Sequence, residues 1–212
     1  MANRYDRQSD IVKSADLTLP IHLIGAGGIG SWTALLLAKM GCSNIIVYDD
    51  DIVEDHNVAS QFFKEEQLGR LKIDALYDNV LEQTGTEIEK VENIVEEEYI
   101  DKGLVVIAMD SMAERIRLGN LYKDKPIHII DGRMGGLSFE IYNCKADKYL
   151  ETTVDPIDVD HEPCTAKAIC FTPAVISGMM ANHVRHYANN TDGIEGEVIY
   201  CFNSQTLLKK RY

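Results

Sequence analysis

PIHLIGAGGIGSWTALLLAKMGCSNIIVYDDD, residues 20–51, decides the fold. Ile21, Leu23 and Ile24 lead into Gly25-Ala26-Gly27-Gly28-Ile29-Gly30. Trp32, Leu35, Leu36 and Met40 follow at helical spacing, and Gly41 stops the helix. Ile45-Ile46-Val47-Tyr48 makes a second apolar run, closed by Asp49. Without side chains, the glycine turn can pass tightly and a phosphate can approach the backbone. The N–H groups that open the helix face an anion. An acid at the end of the second strand can accept hydrogen bonds from ribose hydroxyls. Strand, glycine turn, helix, strand and acid in that order predict a nucleotide-binding half-fold. The competing reading is a turn that needs glycine only for close helix–strand packing.

Composition bounds what this half-fold serves. The chain has 34 acidic against 21 basic residues, a net charge of −13, which argues against nucleic acid or an anionic membrane as partner. A negative nucleotide stays compatible with it, because a glycine turn and a few placed cations make a local positive site. Cys42, Cys144, Cys164, Cys170 and Cys201 are odd in number, widely spaced and form no CxxC, so neither a disulfide framework nor a four-thiolate zinc site is expected. The start, MANRYDRQSD, is polar, and no apolar run approaches the ~20 residues that span a bilayer. A cytoplasmic protein with reduced thiols is expected.

The rest of the chain continues the alternation. Residues 1–19 read as an N-terminal arm, frayed or shortly helical, and residues 50–63 as a loop with one helical turn. A helix is expected over Glu65–Gln83 with Leu68, Leu71, Ala75, Leu76, Val80 and Leu81 on its apolar face, then a strand at Glu87–Val91 and a short helix opened by Glu96-Glu97-Glu98. Leu104–Ala108 and Ile127–Ile130 read as buried parallel strands around a helix Met112–Tyr122, and Leu137–Tyr142 as an antiparallel strand. Residues 145–170 form a long acidic loop, Pro173–Tyr187 a helix, and Val198–Phe202 a last strand before the basic tail Lys209-Lys210-Arg211. The fold expected is α/β over one domain, residues 1–212: a Rossmann-like, mostly parallel sheet with helices on both faces and an antiparallel C-terminal extension.

Read together, RYDRQ, GAGGIG, DDDIVEDHNVASQ, LGRLK at residues 68–72 and MDSMAER resemble the ubiquitin-activating-type adenylyltransferases of the ThiF, MoeB and HesA kind, especially their short phage and plasmid members. The motifs run in order over residues 4–142, with a weaker continuation to about residue 190. The resemblance implies an enzyme that binds ATP and Mg2+ and activates the C-terminal carboxylate of a ubiquitin-like or sulfur-carrier protein, or of a peptide, as an acyl-adenylate with release of pyrophosphate. It also implies a homodimer. Carried onto this sequence, Gly25, Gly27, Gly28 and Gly30 let the nucleotide lie against the backbone, Asp49 holds the ribose, and Asp51 joins the nucleotide-binding set. Lys72 offsets charge on the α-phosphate. Asp110 is the magnesium ligand, suited to an ion that takes one or two carboxylates with phosphate oxygens. Asn57 and Gln61 form a polar pair near the triphosphate. Arg7 reaches the partner protomer's site as a trans-acting finger on the outer phosphates. Cys164, in the crossover-type loop, is the candidate acceptor of the acyl group or sulfur, with Cys170 a second candidate expected to be buried beside Phe171.

Each reading has a plainer rival. Lys72 reads equally as a solvated helix lysine, Asp110 as a helix cap, Gln61 as solvent-facing and Arg7 as a surface arginine. His56 and His161 read as surface residues. Two departures matter. Ser60 stands where the family carries an arginine, and a hydroxyl does not replace a planar permanent charge; Lys64, Arg70 and Arg133 are the nearest substitutes in sequence. The paired cysteines that hold zinc in many bacterial relatives are absent, so no zinc is expected. Two other functions compete: a nicotinamide-dependent oxidoreductase built on the same half-fold, and a catalytically degenerate nucleotide-bound scaffold.

Overall fold

The structure is a computed structural model and describes residues 4–12, 17–92, 100–153, 169–190 and 195–211. Cys164, His161 and the helix expected at Glu96–Glu98 lie outside the described residues. Eight strands make one sheet among them: β1 (Ile21–Ile24), β2 (Ile45–Tyr48), β3 (Glu89–Val91), β4 (Gly103–Ile107), β5 (Ile127–Gly135), β6 (Ser138–Lys145), β7 (Gly196–Cys201) and β8 (Thr206–Arg211), in the order β3-β2-β1-β4-β5-β6-β7-β8. β3, β2, β1, β4 and β5 pair in parallel, and β5 to β8 pair antiparallel. The helices are α1 (Gly28–Met40), α2 (Asp55–Val58), α3 (Lys72–Thr84), α4 (Met112–Tyr122), α5 (Ala146–Tyr149) and α6 (Phe171–Ala188). The architecture is the expected α/β one, with antiparallel strands at the C-terminal side.

The apolar runs explain why both faces are covered. Successive strand residues point to opposite faces. Leu23, Leu104 and Val106 pack with Leu37 of α1, Leu76 of α3 and Met180 of α6. Ile24, Val105 and Ile107 face the other way, against Leu118 and Tyr122 of α4 and Tyr149 of α5. Parallel strands buried on both sides need such continuous apolar sequence.

Four sequence expectations change. The helix expected over Glu65–Gln83 is a 3-10 turn, Glu65–Gln67, followed by α3 from Lys72. Gly69 takes φ +81° between them, and Leu68 is exposed at 41% rather than on the apolar face. The cause is a pairing of this segment with residues 51–53: Gly69 N–H donates to Val53 O at 2.8 Å, Val53 N–H to Arg70 O at 2.8 Å and Lys72 N–H to Asp51 O at 2.9 Å. The loop expected from residue 145 starts as structure: Lys145 ends β6, and Ala146 and Tyr149 of α5 are buried beneath the sheet. The basic tail is β8, joined to β7 by a turn in which Gln205 has φ +54°. On α1 the most buried apolar side chains are Ala34, Leu37 and Ala38, because the helix lies between the sheet and α6; Trp32, Leu36 and Met40 are half-buried at its margin.

The N-terminal arm is seated on its own chain. Arg4 donates to the Thr84 carbonyl at 2.5 Å, the Gln8 side chain donates to the Met40 carbonyl, and Asn189 donates to the Ile11 carbonyl at 3.0 Å. These carbonyls at residues 40 and 84 close α1 and α3, the ends remote from their glycine turn and lysine. Among the described residues, no helix is long and apolar enough to cross a membrane.

Candidate active site

β1 has β2 on one side and β4 on the other, so chain connections leave it in opposite directions. Such a switch point leaves a crevice at the carboxyl ends of the strands. A cleft of about 670 Å³ opens there, lined by Gly25, Gly27, Asp49, Lys72, Asp110 and Gln61 among others. That volume suits a nucleotide-sized ligand.

The glycine turn serves both of the readings weighed for it, at different positions. Gly25 has φ +98°, and a Cβ there would lie 2.8 Å from the Ala108 carbonyl oxygen. At Gly30 a Cβ would lie 1.8 Å from the Gly25 carbonyl oxygen. These two glycines are required by backbone packing alone. Gly27 is different: nothing lies within 4 Å of a Cβ placed on it. Its bareness has no packing cause and leaves open cleft beside the start of α1, whose N-cap, Gly27, supplies no side-chain cap. The first N–H groups of α1 therefore lack a capping side chain and favour an anion.

Asp49 closes the other wall. Its Oδ2 accepts from Ala26 N–H at 2.6 Å and its Oδ1 from Asp51 N–H at 3.0 Å. These bonds fix the carboxylate and leave further lone pairs for hydroxyl donors. Burial pushes its carboxyl pKa up, against the pull of the Ala26 N–H and the Lys72 ammonium. The 51–53 and 69–72 pairing sets Lys72 beside this acid end. Lys72 is 8% exposed, and its Nζ lies 2.7 Å from Asp51 Oδ2. It is a buried, paired lysine at the cleft wall, not a solvated one.

Asp110 follows β4 and is exposed on the cleft. It does not cap α4; Ser111 does, accepting from Glu114 N–H at 3.2 Å. Its carboxylate makes no hydrogen bond or ion pair among the described residues, which leaves it able to hold a divalent cation beside phosphate oxygens. Asn57 is buried, and its Oδ1 accepts from Glu54 N–H at 2.9 Å, so it shapes the loop as well as lining the cleft. Gln61 lines the cleft with a buried Oε1 that has no hydrogen-bond partner among the described residues.

Ser60 lines the cleft too, and its carbonyl accepts from Trp32 Nε1 at 3.1 Å. The three substitutes considered for the missing arginine do not line it. Lys64 pairs with Glu82 at 2.6 Å, Arg70 with Asp78 at 2.7 Å and Arg133 with buried Asp131 at 2.7 Å. Among the described residues the arginine that does reach the cleft is Arg115, within MDSMAER. A signal existed: Arg115 shares a helical face with Leu118, Gly119 and Tyr122, all buried, and a charge on a core face calls for buried partners. His56, at the rim, is exposed and 3.6 Å from Glu54. Cys170 is exposed rather than buried, because it precedes α6 instead of packing within it. Among the described residues no group of three or more His, Cys, Asp or Glu could hold a metal ion.

Charge in the cleft is lopsided. Asp49, Asp50, Asp51, Glu54, Asp110 and Glu114 line it against Lys72 and Arg115. Arg7 is not among these cations. It is exposed on the docked arm, beside Gln8 at the C-terminal end of α1. The cleft is at the other end of that helix, 13 residues away, or roughly 20 Å at 1.5 Å per residue.

Comparison with known proteins gives this cleft a context. The ThiF family model matches residues 15–206. Ubiquitin-like modifier-activating enzyme 5 of Drosophila mojavensis is 22% identical over 200 residues, covering 80% of this chain and 50% of that protein. Its Arabidopsis thaliana counterpart is 36% identical over 62 residues, covering 29% of this chain and 14% of that protein. The chain spans about half or less of the length of the curated relatives it matches. Among solved structures, PaaA superposes with a TM-score of 0.76 at 20% identity, covering 98% of this chain and 72% of PaaA. Escherichia coli MccB with ATP superposes with a TM-score of 0.77 at 15% identity, covering 100% and 72%. At those identities the superpositions speak for the fold. The chain belongs to the ThiF family.

Proposed function

We propose that this chain is an ATP-dependent adenylyltransferase that activates the C-terminal carboxylate of a ubiquitin-like or sulfur-carrier protein, or of a peptide. One observation carries the reading: in a ThiF-family chain, the uncapped start of α1, Asp49, Lys72 and Asp110 converge on a single crevice at the sheet's switch point. In this reading the ribose hydroxyls donate to Asp49 and the phosphates follow the open backbone at Gly27. An oxygen of the partner's carboxylate attacks the α-phosphorus. The bond from that phosphorus to the bridging oxygen breaks, and pyrophosphate leaves. Lys72 leaves Asp51 for the phosphate oxygens and offsets the charge that builds there. Asp110 would hold magnesium, which supplies charge neutralisation on the phosphates when bound. Gln61 has an Oε1 without a partner among the described residues, so its amide can turn Nε2 toward a phosphate oxygen.

The acidic lining supports a cation from outside the chain. Among the described residues, six carboxylates against Lys72 and Arg115 repel a triphosphate. Arg7, too far to serve its own cleft, suits the partner's cleft in a homodimer. Mixing tests this: Arg7→Ala and Lys72→Ala homodimers each lose activity, and re-equilibrated mixtures regain part of it, since one cleft then carries neither change. Mixtures as inactive as their parents would refute the trans role.

The partner classes follow the relatives' names. MccB has been solved with MccA, and the curated relatives are named as activating enzymes for ubiquitin-like modifiers. The chain works as one adenylation domain in the cytoplasm, and Cys164 is the proposed acceptor where the product goes on to a thioester, its thiolate taking the acyl group and releasing AMP. Ser60 in the family arginine's place favours a second reading, a nucleotide-bound scaffold. ATP binding without any ATP–pyrophosphate exchange across carriers and peptides would favour it. NADH binding in preference to ATP would revive the oxidoreductase.

A further inference from the structure

β4 and β5 pair in parallel as far as Ile107 opposite Asp131. Beyond that register β4 has ended, while β5 runs on, paired with β6. The guanidinium of Arg115, 2% exposed, fills the gap. Its Nη2 donates to the Met109 carbonyl on one side and to the Gly132 carbonyl, at 3.2 Å, on the other. Its Nε donates to both oxygens of Asp131, at 3.1 and 3.2 Å. One planar fork thus replaces the ladder bonds that two diverging strands no longer make.

The fork is itself held. Asp131 is fully buried and also accepts from Arg133 Nε at 2.7 Å and from Tyr149 OH at 3.0 Å. Arg133 is tied to Thr152 through the carbonyl at 2.8 Å and Oγ1 at 3.1 Å. Buried ion clusters of this kind add little net stability, because desolvation offsets their attraction. What this one produces is a position. Met109 is anchored through its carbonyl, Ser111 is anchored as the cap of α4, and Asp110 stands between them on the cleft wall.

We infer that Arg115 is a positioning residue: by bridging the Met109 and Gly132 carbonyls it fixes Asp110 where a divalent cation meets the nucleotide phosphates. Asp131 and Arg133 orient Arg115 for this task. The inference rests on the adenylation reading above. Lysine keeps the charge but offers one nitrogen with three donors, so it cannot hold both carbonyls and both Asp131 oxygens together.

Mn2+ binding, followed by electron paramagnetic resonance with a non-hydrolysable ATP analogue, tests it without turnover. Asp110→Ala weakens nucleotide-dependent Mn2+ binding about a hundredfold. Arg115→Lys weakens it about tenfold, while affinity for the analogue in EDTA stays within about twofold of wild type. Added to Asp110→Ala, Arg115→Lys has no further effect on Mn2+, because the two act through one ligand. Should Arg115→Lys not fold, Arg133→Lys, which disturbs only the outer arginine, gives a smaller weakening of the same sign. Wild-type Mn2+ affinity in the folded arginine variant overturns the inference, as does a loss that adds to that of Asp110→Ala. Analogue binding by the wild type with no Asp110-dependent Mn2+ overturns the metal role of Asp110, and the inference with it.

Discussion

The parallel and antiparallel halves of the sheet treat polar groups in opposite ways. β1, β2 and β4 are four or five residues long and buried, and they stop at the cleft. There Asp49, Lys72, Asp110 and Gln61 gather with bonding capacity in hand. β5 and β6, nine and eight residues long, carry their polar residues inside and satisfy them with one another. Asp131 is enclosed by Arg115, Arg133 and Tyr149. Asn143 binds His128 on one side and His183, at 2.8 Å, on the other. Short strands leave polar groups facing a ligand, whereas long paired strands turn them toward each other. Changes in the two halves should therefore fail differently, in ligand binding on one side and in stability on the other.

The largest effect breaks that division. Gly30→Ala sets a methyl carbon 1.8 Å from the Gly25 carbonyl oxygen, so the variant is expected to lose its cooperative thermal transition, although it belongs to the turn beside the cleft. A wild-type Tm would mean that the turn is looser than described. Next comes Asp131→Leu, which leaves two buried guanidinium groups without their shared anion. A loss of about 3–5 kcal/mol in urea denaturation is expected; less than about 1 kcal/mol would reduce the cluster to ornament.

His183 sharpens the contrast through pH. Burial, with His186, Lys209 and His128 nearby, pushes its pKa down to about 4. A histidine held neutral binds fewer protons folded than unfolded. Its contribution is therefore present above pH ~6.5 and lost as pH falls toward about 4. From pH ~7 to ~5 this amounts to about 2 kcal/mol. His183→Gln should flatten the fall in stability over that window, and an unchanged slope would assign the fall elsewhere. The smallest effect is Gly27→Ala. A methyl group there meets open space, so Tm should shift little while ATP affinity, read by calorimetry, drops about tenfold. Unchanged ATP affinity would take the nucleotide off this backbone.

The same contrast explains what the sequence made legible. Parallel strands buried on both faces leave unbroken apolar runs, and the glycine turn and Asp49 sit beside them in a short window, so β1, α1, β2 and β4 could be read directly. The relation of Lys72 to Asp51 could not, because it depends on the pairing of residues 51–53 with 69–72 across a segment that reads as continuous helix. Arg115 and Asp131 lie 16 residues apart, and neither shows its partner in the sequence. The tail Lys209-Lys210-Arg211 shows no strand pattern in sequence because β8 is exposed along its whole length; only its pairing with β7 makes it a strand.

The most direct test of adenylation is ATP–pyrophosphate exchange, run with Gly-Gly-ended carrier proteins and short peptides, in wild type and Asp110→Ala. Exchange that needs both a partner and Asp110 is the predicted result, and it would identify the substrate class. Exchange that survives Asp110→Ala, or a protein that binds no ATP, would contradict the account.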